Sequence, residues 1–121
     1  MKINDFTDLL VWQKAHQLVI AIYKITKDFP REELYALVDQ IRRAIVSVTS
    51  NIAEGFGRQT YKEKMQFYYM AAGSLTEVRN QLMIARDLGY INNDYFILLN
   101  GNAIEINKMI YGLIKSIKNK T

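Results

Sequence analysis

At 121 residues with no cysteine and one histidine, the chain can form neither disulfides nor thiolate zinc sites, and any metal site would depend on carboxylates. A hydrophobic content of 50% suits one domain that removes roughly two thirds of its unfolded surface from water, while a net charge of +4 favours an acidic partner without naming one. No stretch reaches the ~20 apolar residues of a membrane span, and Met1 to Asp5 lack a signal peptide's basic-then-apolar layout, so a cytoplasmic, membrane-free protein is expected.

Apolar residues recur at steps of three and four, the helical period, and strand signals are nearly absent. The first helix is expected over about 9–28, with Trp12, Ala15, Leu18 or Val19, Ile22, Thr26 and Phe29 on one stripe. Pro30 excludes the helical conformation at Phe29 and ends it. The second, about 34–54, follows the polar run Arg31, Glu32, Glu33 and repeats Leu34, Leu37 or Val38, Ile41, Ala44 or Ile45, Val48 and Ile52. Gly55 is read as its stop, with Gly55 and Gly57 bracketing Phe56 in a short connection.

Thr60 opens the third helix, about 61–88, with Glu63 placed to reach back as in a capping box. Its stripe is Tyr68, Ala71 or Ala72, Leu75, Val78, Leu82 and Ala85, and Gly89 ends it. Asn92 or Asn93 caps the fourth, about 93–118, which keeps the cleanest heptad: Phe96, Leu99, Ala103, Ile106, Ile110, Leu113, Ile117. Such seams need partner helices, and short connections make sequential neighbours antiparallel. The expected fold is therefore all-α, an antiparallel up-down-up-down four-helix bundle with one domain over 1–121.

Val11, Ile25, Tyr35, Phe67, Tyr69, Met70, Ile84, Tyr95, Leu98 and Ile114 lie off these stripes. That is more apolar surface than one bundle core buries, which points to self-association; scattered surface aromatics are the plain alternative.

A polar stripe, Arg43, Ser47, Ser50, Asn51 and Glu54, runs beside the apolar face of the second helix. Ser74 and Glu77 on the third helix are its expected partners, with Glu77 neutralising Arg43. The stripe either fixes helix register or forms a recognition groove. Catalysis is not expected, because serine beside glutamate without a histidine base lacks the relay that activates a hydroxyl. His16 has no neighbouring ligand pair, so neither a metal nor a cofactor is expected. The link Gly55 to Arg58 follows a helix rather than a strand, which makes it a helix cap and not a nucleotide loop.

Two basic excesses stand out. Arg58, Lys62 and Lys64 face only Glu63, and after Glu105 no acid appears while Lys108, Lys115, Lys118 and Lys120 follow. Lysines at a helix C-terminus also complement its dipole, so part of that tail needs no ligand.

Phe6, Leu9, Val11-Trp12-Gln13-Lys14-Ala15, Gln40-Ile41-Arg42-Arg43-Ala44, Ser47, Ser50-Asn51-Ile52-Ala53-Glu54-Gly55 and Leu88-Gly89-Tyr90 carry a family pattern over nearly the whole chain. The chain resembles the bacterial four-helix bundle proteins first named for reading frames in intervening sequences of 23S ribosomal RNA. The resemblance implies a ring-like pentamer of antiparallel bundles without catalytic activity. Similar proteins include the accessory protein of diversity-generating retroelements, a basic pentamer that binds reverse transcriptase and nucleic acid; that role carries over only beside a reverse transcriptase. The sequence departs from the family at Thr49, where a proline commonly interrupts the second helix; threonine allows a straighter one.

The expectation is thus a non-catalytic homo-oligomer, a pentamer by resemblance, that binds RNA or DNA through phosphate contacts. Arg42, Arg58, Lys62 and Lys64 carry it, with Lys115, Lys118 and Lys120 behind them. The alternative is a scaffold that docks a partner protein and uses its charge only for solubility.

Overall fold

A computed structural model describes residues 2–121. A 3-10 turn, Phe6–Asp8, leads into α1 (Leu10–Thr26), and a second, Arg31–Glu33, precedes α2 (Leu37–Gly57); α3 (Tyr61–Asp87) and α4 (Asn93–Lys118) follow, with no strand among the described residues. Most of the periodic apolar positions are buried, but Leu34, expected on the core stripe of the second helix, precedes α2 and is 43% exposed, and Trp12 and Leu113 are half-buried. Ile22, Ile41, Ile45, Ile52, Leu75, Leu82 and Ile110 are fully enclosed, and burying each such side chain stabilises the fold by about 1.5–3 kcal/mol relative to exposure.

Each helix packs on its sequence neighbours, α4 returns to α1, and no diagonal pair comes into backbone contact among the described residues. Cross-helix contacts run in opposite senses. Ser47 meets Ser74 while Gly55 meets Tyr68, and Arg79 meets Asn100 while Tyr69 meets Tyr111. Every neighbouring pair is antiparallel, which makes an up-down-up-down four-helix bundle.

The core is wider than the heptad stripes. Val11 and Ile114, expected off the stripes, are buried at 4% and 2% exposure. Val11 shares a face with Ala15 and Leu18, and Ile114 with Ile110 and Ile117, because a core-facing helix buries a broader arc than the two positions of a coiled-coil seam. Phe67 and Ile25 are half-buried, whereas Tyr35, Tyr69, Met70, Ile84, Tyr95 and Leu98 are exposed.

Helix ends follow local chemistry, with two departures from expectation. α2 begins at Leu37 because the preceding residues close i→i+3 bonds, Glu33 to Pro30, Leu34 to Arg31 and Ala36 to Glu33. It then runs through Gly55 to Gly57 rather than stopping at Gly55. A Cβ on Gly55 would stand 2.6 Å from the Tyr68 ring, so this glycine serves the close approach of α2 and α3 instead of ending a helix. Thr49 sits inside the unbroken α2 and donates to the Val46 carbonyl.

Thr60 caps α3 by accepting from the Glu63 amide, and its hydroxyl donates to the Glu63 carboxylate. Asn92 caps α4 through the Tyr95 amide. At the end of α3, Gly89 takes φ +79°, with the Gly89 amide on the Arg86 carbonyl and the Tyr90 amide on the Ala85 carbonyl. This is a Schellman closure, which a side chain at Gly89 would strain.

Tyr90 packs on Phe29, with ring centroids 5.4 Å apart, and donates its hydroxyl to Glu33 at 2.8 Å. That hydrogen bond, then burial and the Glu33 and Glu32 charges, raises the Tyr90 pKa above its ordinary 10.0; burial alone raises that of Tyr68. Both shifts favour the protonated phenol in the fold. The stability they contribute is complete below pH 10 and is lost as pH climbs through the raised values. Melting temperatures should therefore fall above about pH 10, and a Tyr68→Phe/Tyr90→Phe variant should show a shallower fall. Identical alkaline profiles would contradict this.

Candidate nucleic-acid interface

The antiparallel arrangement gathers the N-terminus of α3 and the C-terminus of α4 at one end of the bundle. The two basic excesses, 57 residues apart between Arg58 and Lys115, therefore meet in space. Direct contacts fix the juxtaposition. The Lys118 ammonium lies 5.7 Å from the centre of the Tyr69 ring, and Lys120 lies 6.0 Å from that of Tyr61. Tyr69 also meets Tyr111 edge-on, with centroids 6.1 Å apart.

The cations at this end are not equivalent. Arg58 forms an ion pair with Glu54 at 2.9 Å and lies over the Phe67 ring at 4.5 Å. Lys64 donates to the Phe56 carbonyl at 2.6 Å and to that of Gly55 at 3.3 Å, closing the C-terminus of α2 where the helix dipole favours a cation. Partial burial there lowers its pKa. Lys62, Lys115, Lys118 and Lys120 are exposed, and none of them belongs to an ion pair among the described residues. The Tyr69 phenol, a hydrogen-bond acceptor beside it, raises the Lys118 pKa. Of the seven basic residues expected at the site from the sequence, these four are the exposed ones outside an ion pair.

Arg42, grouped with them from the sequence, lies elsewhere. It sits near the opposite end of α2, donating to the Thr26 hydroxyl at 2.9 Å and the Tyr23 carbonyl at 3.3 Å, with its guanidinium 4.7 Å from the Tyr23 ring centre. Its charge is spent on the C-terminal turn of α1, where carbonyls lack intrahelical donors.

The polar stripe divides in the same way. Ser47 and Ser74 share a 2.8 Å hydrogen bond across α2 and α3, and the Asn51 amide donates to the Ser47 carbonyl and hydroxyl. Arg43 pairs with Asp39, one turn earlier on the same exposed face, and not with Glu77 across the interface. Glu54 pairs with Arg58, whereas Ser50 and Glu77 are exposed. Only Ser47, Asn51 and Ser74 form a connected network, and its place between two helices suits register.

His16 stacks on Trp12, with centroids 4.8 Å apart and ring planes 13° from parallel. Among the described residues no three potential metal ligands lie together, and no helix is long and apolar enough to cross a membrane. An open groove of about 310 Å³ between α1 and α4 is lined in part by Ile25, Tyr95 and Leu98.

The sequence matches the family of 23S rRNA-intervening sequence proteins over residues 7–112, from the first 3-10 turn to deep in α4. The chain belongs to that family. A similar solved structure, a protein of unknown function from the S23 ribosomal protein family of Bacteroides thetaiotaomicron, superposes with a TM-score of 0.81. It is 23% identical, and the match covers 88% of this chain and 96% of that one, a likeness of fold. Comparison with the curated proteins finds no match.

The lysines stand out in the sequence as local charge excesses, whereas Tyr61 and Tyr111, which lie beside them in the fold, do not. What joins them is the register of α3 against α4, which the contacts between the two helices reveal. Arg79 with Asn100 and Tyr69 with Tyr111 share a nearly constant sum of residue numbers, which sends Tyr61 to Lys120.

Proposed function

We propose that this protein is a non-catalytic, homo-oligomeric helical bundle that binds RNA or DNA through the basic end of each copy. What carries the reading is the gathering of Lys62, Lys115, Lys118 and Lys120, free of ion pairs, where α3 begins and α4 ends. Arg58 and Lys64 stand beside them, held by Glu54 and by the α2 carbonyls. Phosphate binding of this kind releases counterions and needs no shaped pocket. The Ser47 and Ser74 hydroxyls are bonded to each other, and Ser47 also accepts from the Asn51 amide, which supports a structural and binding role over a catalytic one for this pair.

Assembly is supported by exposed apolar side chains: Leu98 is 57% exposed, Ile97 59% and Tyr95 53%. A ring, pentameric as the family resemblance implies, repeats the basic end in every copy and builds a field stronger than one copy has. Mass in solution checks this part; a mass of 14.1 kDa at high concentration would remove it.

Charge reversal tests the binding. Lys62→Glu, Lys118→Glu and Lys120→Glu together should weaken oligonucleotide binding at low salt on the order of 10²-fold. Lys24→Glu with Lys27→Glu, at the far end of α1, should cost much less. Equal losses from both sets would reduce the effect to net charge and overturn the site. The groove beside Leu98 favours a second reading, a scaffold that docks a partner protein; binding of a stoichiometric protein by nuclease-treated sample, without oligonucleotide binding, would select it.

A further inference from the structure

We infer that the basic end takes a single strand rather than a duplex, with bases stacked on Tyr61, Tyr69 and Tyr111 and phosphates held by Lys115, Lys118 and Lys120. This rests on the proposed nucleic-acid reading and adds the form of the polynucleotide.

The three rings are 42%, 41% and 47% exposed although the core beneath them is closed. Tyr61 and Tyr69 stand two turns apart on one face of α3, about 12 Å along its axis, with Met65 half-buried between them. Tyr111 faces Tyr69 from α4. Two of the rings carry a lysine, Lys120 at Tyr61 and Lys118 at Tyr69, and Lys115 follows Tyr111 by one turn of α4. Aromatic faces alternating with cations along a seam are the chemistry of sequence-tolerant single-strand binding, in which a groove tracks the backbone and rings take the bases. A duplex keeps its bases stacked inside and offers such a surface only phosphates.

Relative strengths decide whether the lysines block the rings. An exposed cation–π contact is worth roughly 2- to 5-fold in an equilibrium. A base stacked on an aromatic side chain is worth roughly 5- to 150-fold in affinity. An arriving base therefore displaces the ammonium, which remains within reach of the adjoining phosphate. In the free protein the lysine rests where the base will lie.

The test is fluorescence anisotropy of the full-length protein with labelled oligonucleotides of about 12 nucleotides, a length within the span of single-strand binding modules. Single-stranded RNA, single-stranded DNA and a duplex of the same sequence are compared at one salt concentration. Either single strand should bind at least about 10-fold tighter than the duplex. Tyr69→Ala with Tyr111→Ala should remove about 10-fold or more of the single-strand affinity, with the salt dependence unchanged, while Tyr69→Phe with Tyr111→Phe keeps it. Circular dichroism establishes that each variant is folded. Equal affinity for single strand and duplex, or alanine variants that bind single strands like the parent, would overturn the stacking assignment and leave phosphate binding intact. No binding of any oligonucleotide at low salt would overturn the underlying reading as well.

Discussion

Truncating Leu75 to alanine is expected to lower the free energy of unfolding by about 2–5 kcal/mol, measured by urea denaturation at a fixed protein concentration. Leu75 is fully enclosed midway along α3, one residue from the Ser74 hydroxyl that bonds Ser47. The helices on either side are held at that spacing by cross-helix contacts, so the void cannot collapse fully and the loss exceeds the transfer free energy alone. Against the ~5–15 kcal/mol of a typical domain, this is enough to bring unfolding close to ordinary temperatures. The contrast is Ile97→Ala on the exposed side of α4, where Ile97 is 59% exposed. A surface change of that kind shifts a monomer by at most about 0.5 kcal/mol. A larger loss at Ile97 that grew with protein concentration would locate an interface between copies there. A Leu75 variant as stable as the parent would contradict the assignment of the core.

Gly55→Val is also expected to destabilise the bundle, although glycine inside a helix ordinarily invites replacement. Removing glycine from a helix interior gains about 0.5–1 kcal/mol against alanine. Here the added Cβ would stand 2.6 and 2.9 Å from Tyr68 ring carbons and 3.1 Å from the Phe67 Cβ. Tyr68 is 4% exposed, so the ring has nowhere to swing. Forcing extra carbon into a packed contact costs about 1–3 kcal/mol, and valine's branched carbon adds a poorer helix propensity and more bulk. Gly55→Ala should be destabilising too, but by less. Shrinking the opposing ring, as in Gly55→Ala with Tyr68→Leu, should recover part of the loss if the clash is its cause. A Gly55→Ala protein more stable than the parent would show that α2 and α3 can part without penalty.

The bundle was legible in the sequence because its signal is periodic and redundant. The α4 heptad from Phe96 to Ile117 names one buried face several times over, so a single misread position does not change the fold. Features written in one residue were harder. Gly55 as a helix stop and Gly55 as a close approach use the same letter, and only the Tyr68 ring across the interface distinguishes them. Arg42 reads in sequence as a free charge; its partners, Thr26 and Tyr23, belong to another helix. Glu77 and Arg43 are a reasonable pair by type, yet Asp39 one turn away reaches the guanidinium without crossing the interface. The basic end was half legible. Each lysine cluster stood out locally, but their meeting depends on how α3 and α4 align, and so does the pairing of Lys118 with Tyr69 and Lys120 with Tyr61.

The central claim is that this end binds nucleic acid through phosphate contacts, and its most direct test is the salt dependence of that binding. Affinity for a labelled single strand, followed between about 50 and 200 mM salt, should fall linearly on a double-logarithmic plot. Lys115→Gln, Lys118→Gln and Lys120→Gln should each reduce the slope by about 0.7, while Lys24→Gln at the opposite end leaves it unchanged. No measurable binding at the lowest salt, or the same slope in the parent and the three glutamine variants, would contradict the account.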